Sequence, residues 1–284
     1  PKVMGGELSG EVVAVGSQIT ELAVGDQVYG YTGVVAMGTW AEFVVVDVDA
    51  LAPVPRSISM AQAASLPVVA LTAWQSLVTI GHLQPGQTVL VHGGAGGVGA
   101  AVIQLAKHLG ATVATTASAS SAETVRQLGA DIIIDYRSED FVQRLSETPV
   151  DIVVDTQGGE ITSRSFQVLR PGGIVVGIAG TPDPSLADQA GAGPAVKAAL
   201  SVLSLKMRRQ ASKLGVRYRF LFIEPDGPAL RTIAGLVDDG VIQPVVDRIL
   251  PFEQTLAALD QLLAGGTRGK VLITTNEQEV TTHA

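Results

Sequence analysis

The run that most constrains this chain is VLVHGGAGGVG, Val89 to Gly99. A short apolar strand runs straight into glycines, and Ala100-Ala101-Val102-Ile103 then opens a helical pattern. Gly94, Gly96 and Gly99 stand at G-x-G-x-x-G spacing, in the strand–turn–helix setting that gives this spacing its meaning. A Cβ at the first positions would block a tight turn and hold a pyrophosphate off the backbone amides. The third glycine lets helix and strand pack closely, and the helix N-terminus adds partial positive charge. The other reading is a flexible turn without a ligand. A P-loop is excluded because no Gly-Lys-Ser/Thr follows; the next lysine is Lys107. A short-chain dehydrogenase pattern is excluded as well, since none of Tyr29, Tyr31, Tyr136 or Tyr218 has a lysine four residues on.

The surroundings repeat the theme. From Pro85 apolar strands alternate with helices: Thr88 to His92, Thr112 to Thr116, Ile132 to Asp135, Ile152 to Asp155 and Ile174 to Ile178. Helices are expected near Val98 to Leu109, Ala122 to Leu128, Phe141 to Ser146 and Ile161 to Leu169. Val- and Ile-rich strands linked by helices predict a parallel sheet covered on both faces. Residues 1–56 read instead as strands between glycine turns, with Gly10 to Val15, Gln27 to Tyr31 and Ala41 to Val46 rich in β-formers. Ser59 and Gln62 fit a capping box, and a helix over Val68 to Ile80 stops at Gly81. After Pro228, helix, strand, helix and a last strand, Lys270 to Thr274, precede a polar tail from Asn276 that reads as disordered.

Composition narrows the chemistry. The chain has 284 residues, no cysteine and a net charge of −8. Acidity argues against nucleic acid as a partner. No apolar run approaches the roughly 18 residues of a membrane span. Without cysteine there is no thiolate zinc site. The four histidines, His82, His92, His108 and His283, show no ligand spacing, and His92, ending a buried strand, reads as a satisfied core residue. Where the second strand ends, Thr116-Ala117-Ser118-Ala119-Ser120-Ser121 offers no acid before Glu123. A carboxylate there binds the ribose diol of NAD, whereas hydroxyls with Arg126 or Arg137 suit a 2′-phosphate, so Ser118 and Ser121 lean to NADPH.

With these residues in place the chain resembles the medium-chain dehydrogenase/reductase superfamily, nearest its zinc-independent quinone oxidoreductase-like branch. The resemblance rests on GELSGEVVAVG, VGDQVYGY, GTWAEFV, SLPVVALTAWQSL, the glycine loop, LGADIIIDYRSEDF, VDTQGG, LRPGGIVVGIAG and GTRGKVLIT, and spans nearly all of residues 3–274. It implies a Rossmann doubly wound parallel sheet, residues 75–226, inserted in a GroES-like β domain made of 1–74 and 227–284. Relatives begin with further strands ahead of the position of Pro1, so the β domain reads as lacking its beginning. Carried over by motif, Thr72 lies beside the nicotinamide and Tyr136 near the adenosine phosphate. Tyr136 reads equally as a strand-end aromatic covering a helix. Gly94, Ala95, Gly96, Gly97, Val98 and Gly99 hold the pyrophosphate. Ala179 and Gly180 with Leu221 and Phe222 hold the carboxamide end, and Arg268 and Lys270 approach the cofactor. Tyr31, with Thr72, is the catalytic candidate, and cofactor and substrate are expected in the cleft between domains. Many relatives carry a lysine where this chain has Ser121. A cytoplasmic homodimer is the expectation.

With no metal to polarise an alcohol, reduction of an electrophilic carbon is favoured, in a quinone or an α,β-unsaturated carbonyl. Two rival readings stand beside it: an enoyl-thioester reductase, and an NADPH-binding sensor or structural protein with little turnover. Residues 189–223 hold seven cations and no acid, and 194–219 read as one amphipathic basic helix. That helix is either a solvated face or a docking surface for an anionic substrate tail or a membrane.

Overall fold

Three short strands open the chain in the computed structural model, which describes residues 3–264, 267, 269–276 and 280. β1 (Glu7–Glu11), β2 (Gln27–Tyr31) and β3 (Leu51–Pro53) form an antiparallel sheet in that order. β2 buries four of its five residues. Tyr29, at its centre, donates its hydroxyl to Leu230 O at 2.6 Å, fastening the sheet to the helix Gly227–Asp238. The expected capping box is present, with Gln62 N donating to Ser59 Oγ and Ser59 N to Gln62 Oε1. Ala41 to Val46 is not a strand. A run of β-formers needs a partner edge for its backbone groups, and here Val45 is fully exposed while β3 pairs with β2 instead.

The central region supplies six parallel strands: β4 (Thr88–His92), β5 (Thr112–Ala117), β6 (Ile132–Asp135), β7 (Val150–Asp155), β8 (Leu169–Gly177) and β9 (Arg217–Phe220). Their order is β6-β5-β4-β7-β8-β9. Every residue of β4 and β7 is buried, as a central strand covered on both faces requires. Leu90, Ala114, Ile134, Val153 and Val175 share one core with Phe141 and Phe166. Chain order reverses at β4, so the loops after β4 and β7 part and leave a crevice at the strands' C-terminal ends. The final strands, β10 (Val246–Pro251) and β11 (Lys270–Thr274), pair in parallel. By contacts the chain divides into two units, residues 1–71 with 223–284 and residues 72–222.

Two helical expectations change. Pro67–Trp74 is α-helical, but its continuation, Gln75–Ile80, widens to a π-helix. The basic stretch is not one helix. Pro194–Leu203 and Leu205–Lys213 are separate helices, broken at buried Ser204, whose hydroxyl bonds back to Leu200 O at 2.7 Å. Arg217–Phe220 is the sixth strand, because Arg-Tyr-Arg-Phe alternates with period two and pairs with β8. Of the polar tail, only Asn276 and Val280 fall among the described residues beyond Thr275.

Candidate cofactor-binding site

The glycines after β4 differ in what they are for. A Cβ on Gly94 would stand 2.1 Å from Thr115 Oγ1, and one on Gly99 would stand 2.3 Å from Gly93 O. Both positions are closed to any side chain by the protein itself. Gly96 is different: it is exposed, has extended φ and ψ, and its Cβ would meet only Gly93 O at 3.4 Å. Packing does not demand glycine there, and the missing side chain leaves the first turn open to approach. The helix Gly97–His108 starts at once, and the amides of Gly97, Val98 and Gly99 have no carbonyl four residues back within it. Together with half-buried Ala95, this cradle fits a pyrophosphate.

A buried hydrogen-bond chain holds the loop's floor. Gly93 N donates to Thr116 Oγ1 at 3.1 Å, which lies 3.2 Å from His92 Nδ1. His92 Nε2 lies 3.0 Å from Ser165 Oγ, and that hydroxyl donates to Ile161 O at 2.7 Å. Since Ser165 spends its proton on Ile161, the imidazole must carry its proton on Nε2 and accept from Thr116 on Nδ1. Burial pushes the His92 pKa down to about 4; Asp155 opposes this and Arg164 adds to it. The ring is neutral, packed edge-on against Phe141 at 4.8 Å. His92 is the satisfied core residue that the sequence indicated.

At the ends of β5 and β6, Ser118 Oγ lies 3.0 Å from Ser120 Oγ and 3.1 Å from Ser121 Oγ. Glu123 pairs with Arg126, so Arg126 already has its counter-charge. Arg137 does not, among the described residues; its guanidinium lies 5.6 Å from the Tyr136 ring centroid. Tyr136 is 59% exposed. With His92, Gly93, Thr116 and Gln157 these two line a cavity of about 610 Å³ over the C-terminal strand ends.

Across the crevice, Gly158 and Gly180 hold the loops after β7 and β8 together: a Cβ on Gly158 would sit 3.0 Å from Gly180 N. Buried Asp155 accepts from Gln157 N and Gly158 N. Buried Asp183 accepts from Ser185 N and from Phe220 N, while Tyr218 donates to Thr181 O at 2.7 Å. Leu221 N donates to Gly177 O at 2.8 Å. These bonds place Ala179, Gly180, Leu221 and Phe222 at neighbouring strand ends. Sequence reading missed Asp155 and Asp183; an acid ending an apolar strand and an Asp-Pro-Ser turn were the available signals.

Thr72 is buried in the helix Pro67–Trp74. In the other unit, Tyr31 is 3% exposed, and burial, then the charge of Glu7, raise its pKa above the ordinary phenol value. Lys270 pairs with Glu7, whose other oxygen accepts from Val68 N at 2.9 Å. The charge expected to approach the cofactor is therefore bound to a carboxylate. Arg268 lies outside the described residues. The donor set does not fit zinc: cysteine is absent, both His92 nitrogens are committed, and no described cluster of three acids or histidines forms.

A parallel sheet in this order, with a glycine cradle at its first turn, defines a dinucleotide-binding α/β protein. Residues 1–56 match the model of the alcohol dehydrogenase GroES-like domain, and residues 128–273 match that of the zinc-binding dehydrogenase. The NAD(P)H oxidoreductase RTN4IP1, mitochondrial, of Danio rerio is 33% identical, covering 98% of this chain and 73% of its own. The quinone oxidoreductase of Coxiella burnetii superposes with a TM-score of 0.83 at 31% identity, over 97% of this chain and 80% of its own. CurK enoyl reductase gives 0.78 at 26% identity, over 96% and 79%. The Escherichia coli quinone oxidoreductase complexed with NADPH gives 0.77 at 27%, over 95% and 81%. The chain belongs to the medium-chain dehydrogenase/reductase superfamily and is an NAD(P)H oxidoreductase of it, with a Rossmann-like sheet and a GroES-like N-terminal sheet. The cytoplasmic expectation is corrected: the matching oxidoreductases of zebrafish, cattle, human and mouse are named mitochondrial. A compartment is addressed by segments apart from the folded core, so core composition could not reveal it.

Proposed function

We propose that this protein is a zinc-independent, NADPH-dependent reductase of quinones or α,β-unsaturated carbonyls. The observation that carries the reading is Gly96, a glycine the fold does not need and a pyrophosphate does. When bound, NADPH supplies a hydride, two electrons with one hydrogen. The chain's own residues do the rest. The amides of Gly97, Val98 and Gly99 bind the pyrophosphate; Ser118 and Ser121, with Arg137 and Tyr136, receive a 2′-phosphate that a carboxylate would repel. Ala179, Gly180, Leu221 and Phe222, with Thr72, orient the carboxamide end. The oxyanion or α-carbon left when an enone is reduced takes its proton from solvent or from a tyrosine; Tyr31, the candidate from the sequence, keeps its proton because burial disfavours the phenolate.

The test is NADPH consumption with a quinone, a small enone and crotonyl-CoA. Turnover of a quinone or a small enone supports the reading. Preference for crotonyl-CoA would favour the enoyl-thioester reductase, a reading encouraged by the likeness to CurK enoyl reductase. Tight NADPH binding without turnover of any acceptor would favour a sensor. Gly96→Ala should keep its melting temperature yet lose at least about tenfold in NADPH affinity, roughly one well-placed charge-assisted bond.

A further inference from the structure

A second cavity, of about 670 Å³, lies in the 72–222 unit away from the glycine loop. Gly215 and Val216 lead into β9, and Ile80 and His82 precede β4, so it opens where the parallel strands begin. The cofactor cradle, Thr116 and Tyr136 all stand where the strands end. The two sites share no residue.

The walls of this cavity are cationic. Arg208 comes from the helix Leu205–Lys213, and Arg217 and Arg219 from the edge strand β9. His82 and Ser212 add polar groups, and no carboxylate lines it. Among the described residues neither Arg208 nor Arg219 has an acid partner, and Arg217 Nε reaches only Gly172 O at 3.4 Å. Elsewhere in the same unit Lys107, Arg126, Arg164 and Arg170 are each paired with a carboxylate, while Lys206, Arg209 and Lys213, on the same helix as Arg208, have no such partner among the described residues and add to the positive charge around the hollow. In a chain of net charge −8, leaving three arginines unneutralised around one hollow calls for an outside counter-charge. A second observation points the same way. His82 holds φ at +50°, a left-handed conformation that non-glycine residues rarely adopt and that clusters at functional sites.

We infer that this cavity binds a small phosphate-bearing anion, at a site separate from that of the dinucleotide. Guanidinium forks grip phosphate oxygens in pairs. The hollow is also within the size range of small-molecule sites, about 300–1,000 Å³.

Inorganic pyrophosphate is the probe. It is titrated calorimetrically at low salt into the full chain saturated with NADPH, so that the amides of the glycine loop are already occupied. One saturable event is expected. Arg208→Gln/Arg219→Gln should weaken it by at least about tenfold, the loss of a charge-assisted contact, while NADPH affinity stays within about twofold because the two sites are separate. Arg208→Gln alone, on an exposed helix position, keeps the test open if the double variant fails to fold. The inference is overturned by no saturable heat in the low-millimolar range, or by equal binding in the variants. It is also overturned if the variants change the sedimentation coefficient without changing pyrophosphate binding, which would make the cavity a subunit contact. Failure to bind NADPH would overturn the proposed function instead, and the same titration against the variants would still decide this site.

Discussion

The buried histidine beneath the glycine loop makes a quantitative demand on stability against pH. His92 is neutral in the fold, with its pKa pushed down to about 4 by burial, while the unfolded chain takes up a proton near 6.5. Below 6.5 the unfolded state therefore binds more protons, and folding loses free energy as pH falls toward 4. The full contribution is about 3 kcal/mol, and between pH 7 and pH 5 the loss is about 2 kcal/mol. Other groups titrate over this range too, so the measurement is a difference. Urea unfolding of the parent and of His92→Gln at pH 7 and pH 5 isolates it, because glutamine keeps a donor and an acceptor but does not titrate. The parent should lose about 2 kcal/mol more than the variant over that interval. Protonation would also turn His92 Nδ1 from acceptor to donor. Thr116 Oγ1 would then accept from both that nitrogen and Gly93 N while its own proton lost its acceptor, so NADPH affinity should fall with acid in the parent more than in the variant. Parallel stability curves would refute the neutral ring and the proton order derived for the chain.

Gly99→Ala should cost about 1–3 kcal/mol in urea unfolding, because its Cβ would meet backbone at 2.3 Å; an equally stable variant would show that the loop backbone shifts to admit a methyl group. Ser118→Asp should lower NADPH affinity about tenfold through repulsion of the 2′-phosphate and leave NADH affinity unchanged or better, measured by cofactor fluorescence. Equal losses for both cofactors would place the phosphate elsewhere. Lys270→Met leaves the half-buried Glu7 carboxylate with the Val68 amide but no counter-charge, and should destabilise by about 1–3 kcal/mol in the same unfolding assay. Incubation with EDTA should leave turnover unchanged and added zinc should not raise it; inhibition by the chelator would revive a metal centre.

Much of the fold was legible because its signals are local. The alternation of Val- and Ile-rich strands with helices set the parallel sheet, and Gly110, at φ +81°, follows the end of the helix Gly97–His108. What escaped were the cases where a pattern depends on distant partners. Ala41 to Val46 has strand composition and no edge to join. Arg217–Phe220 looked like the end of a basic helix, yet it has β8 beside it. At the candidate site the spacing of Gly94, Gly96 and Gly99 was visible, but not that these glycines answer to different constraints. Two are imposed by Thr115 and by the loop's own backbone, and one by nothing within the chain. A purely structural turn would need glycine at 94 and 99 and would tolerate alanine at 96, so Gly96→Ala is the substitution that separates a ligand role from a packing role. The same reasoning separates the two groups of cations. Arg126, read from the sequence as a partner for the 2′-phosphate, is already satisfied by Glu123 three residues away, while Arg137, Arg208 and Arg219 have no internal counter-charge among the described residues. Substitution of Arg137 and of Arg208 with Arg219, rather than of Arg126, is therefore what separates an outside partner from an internal one.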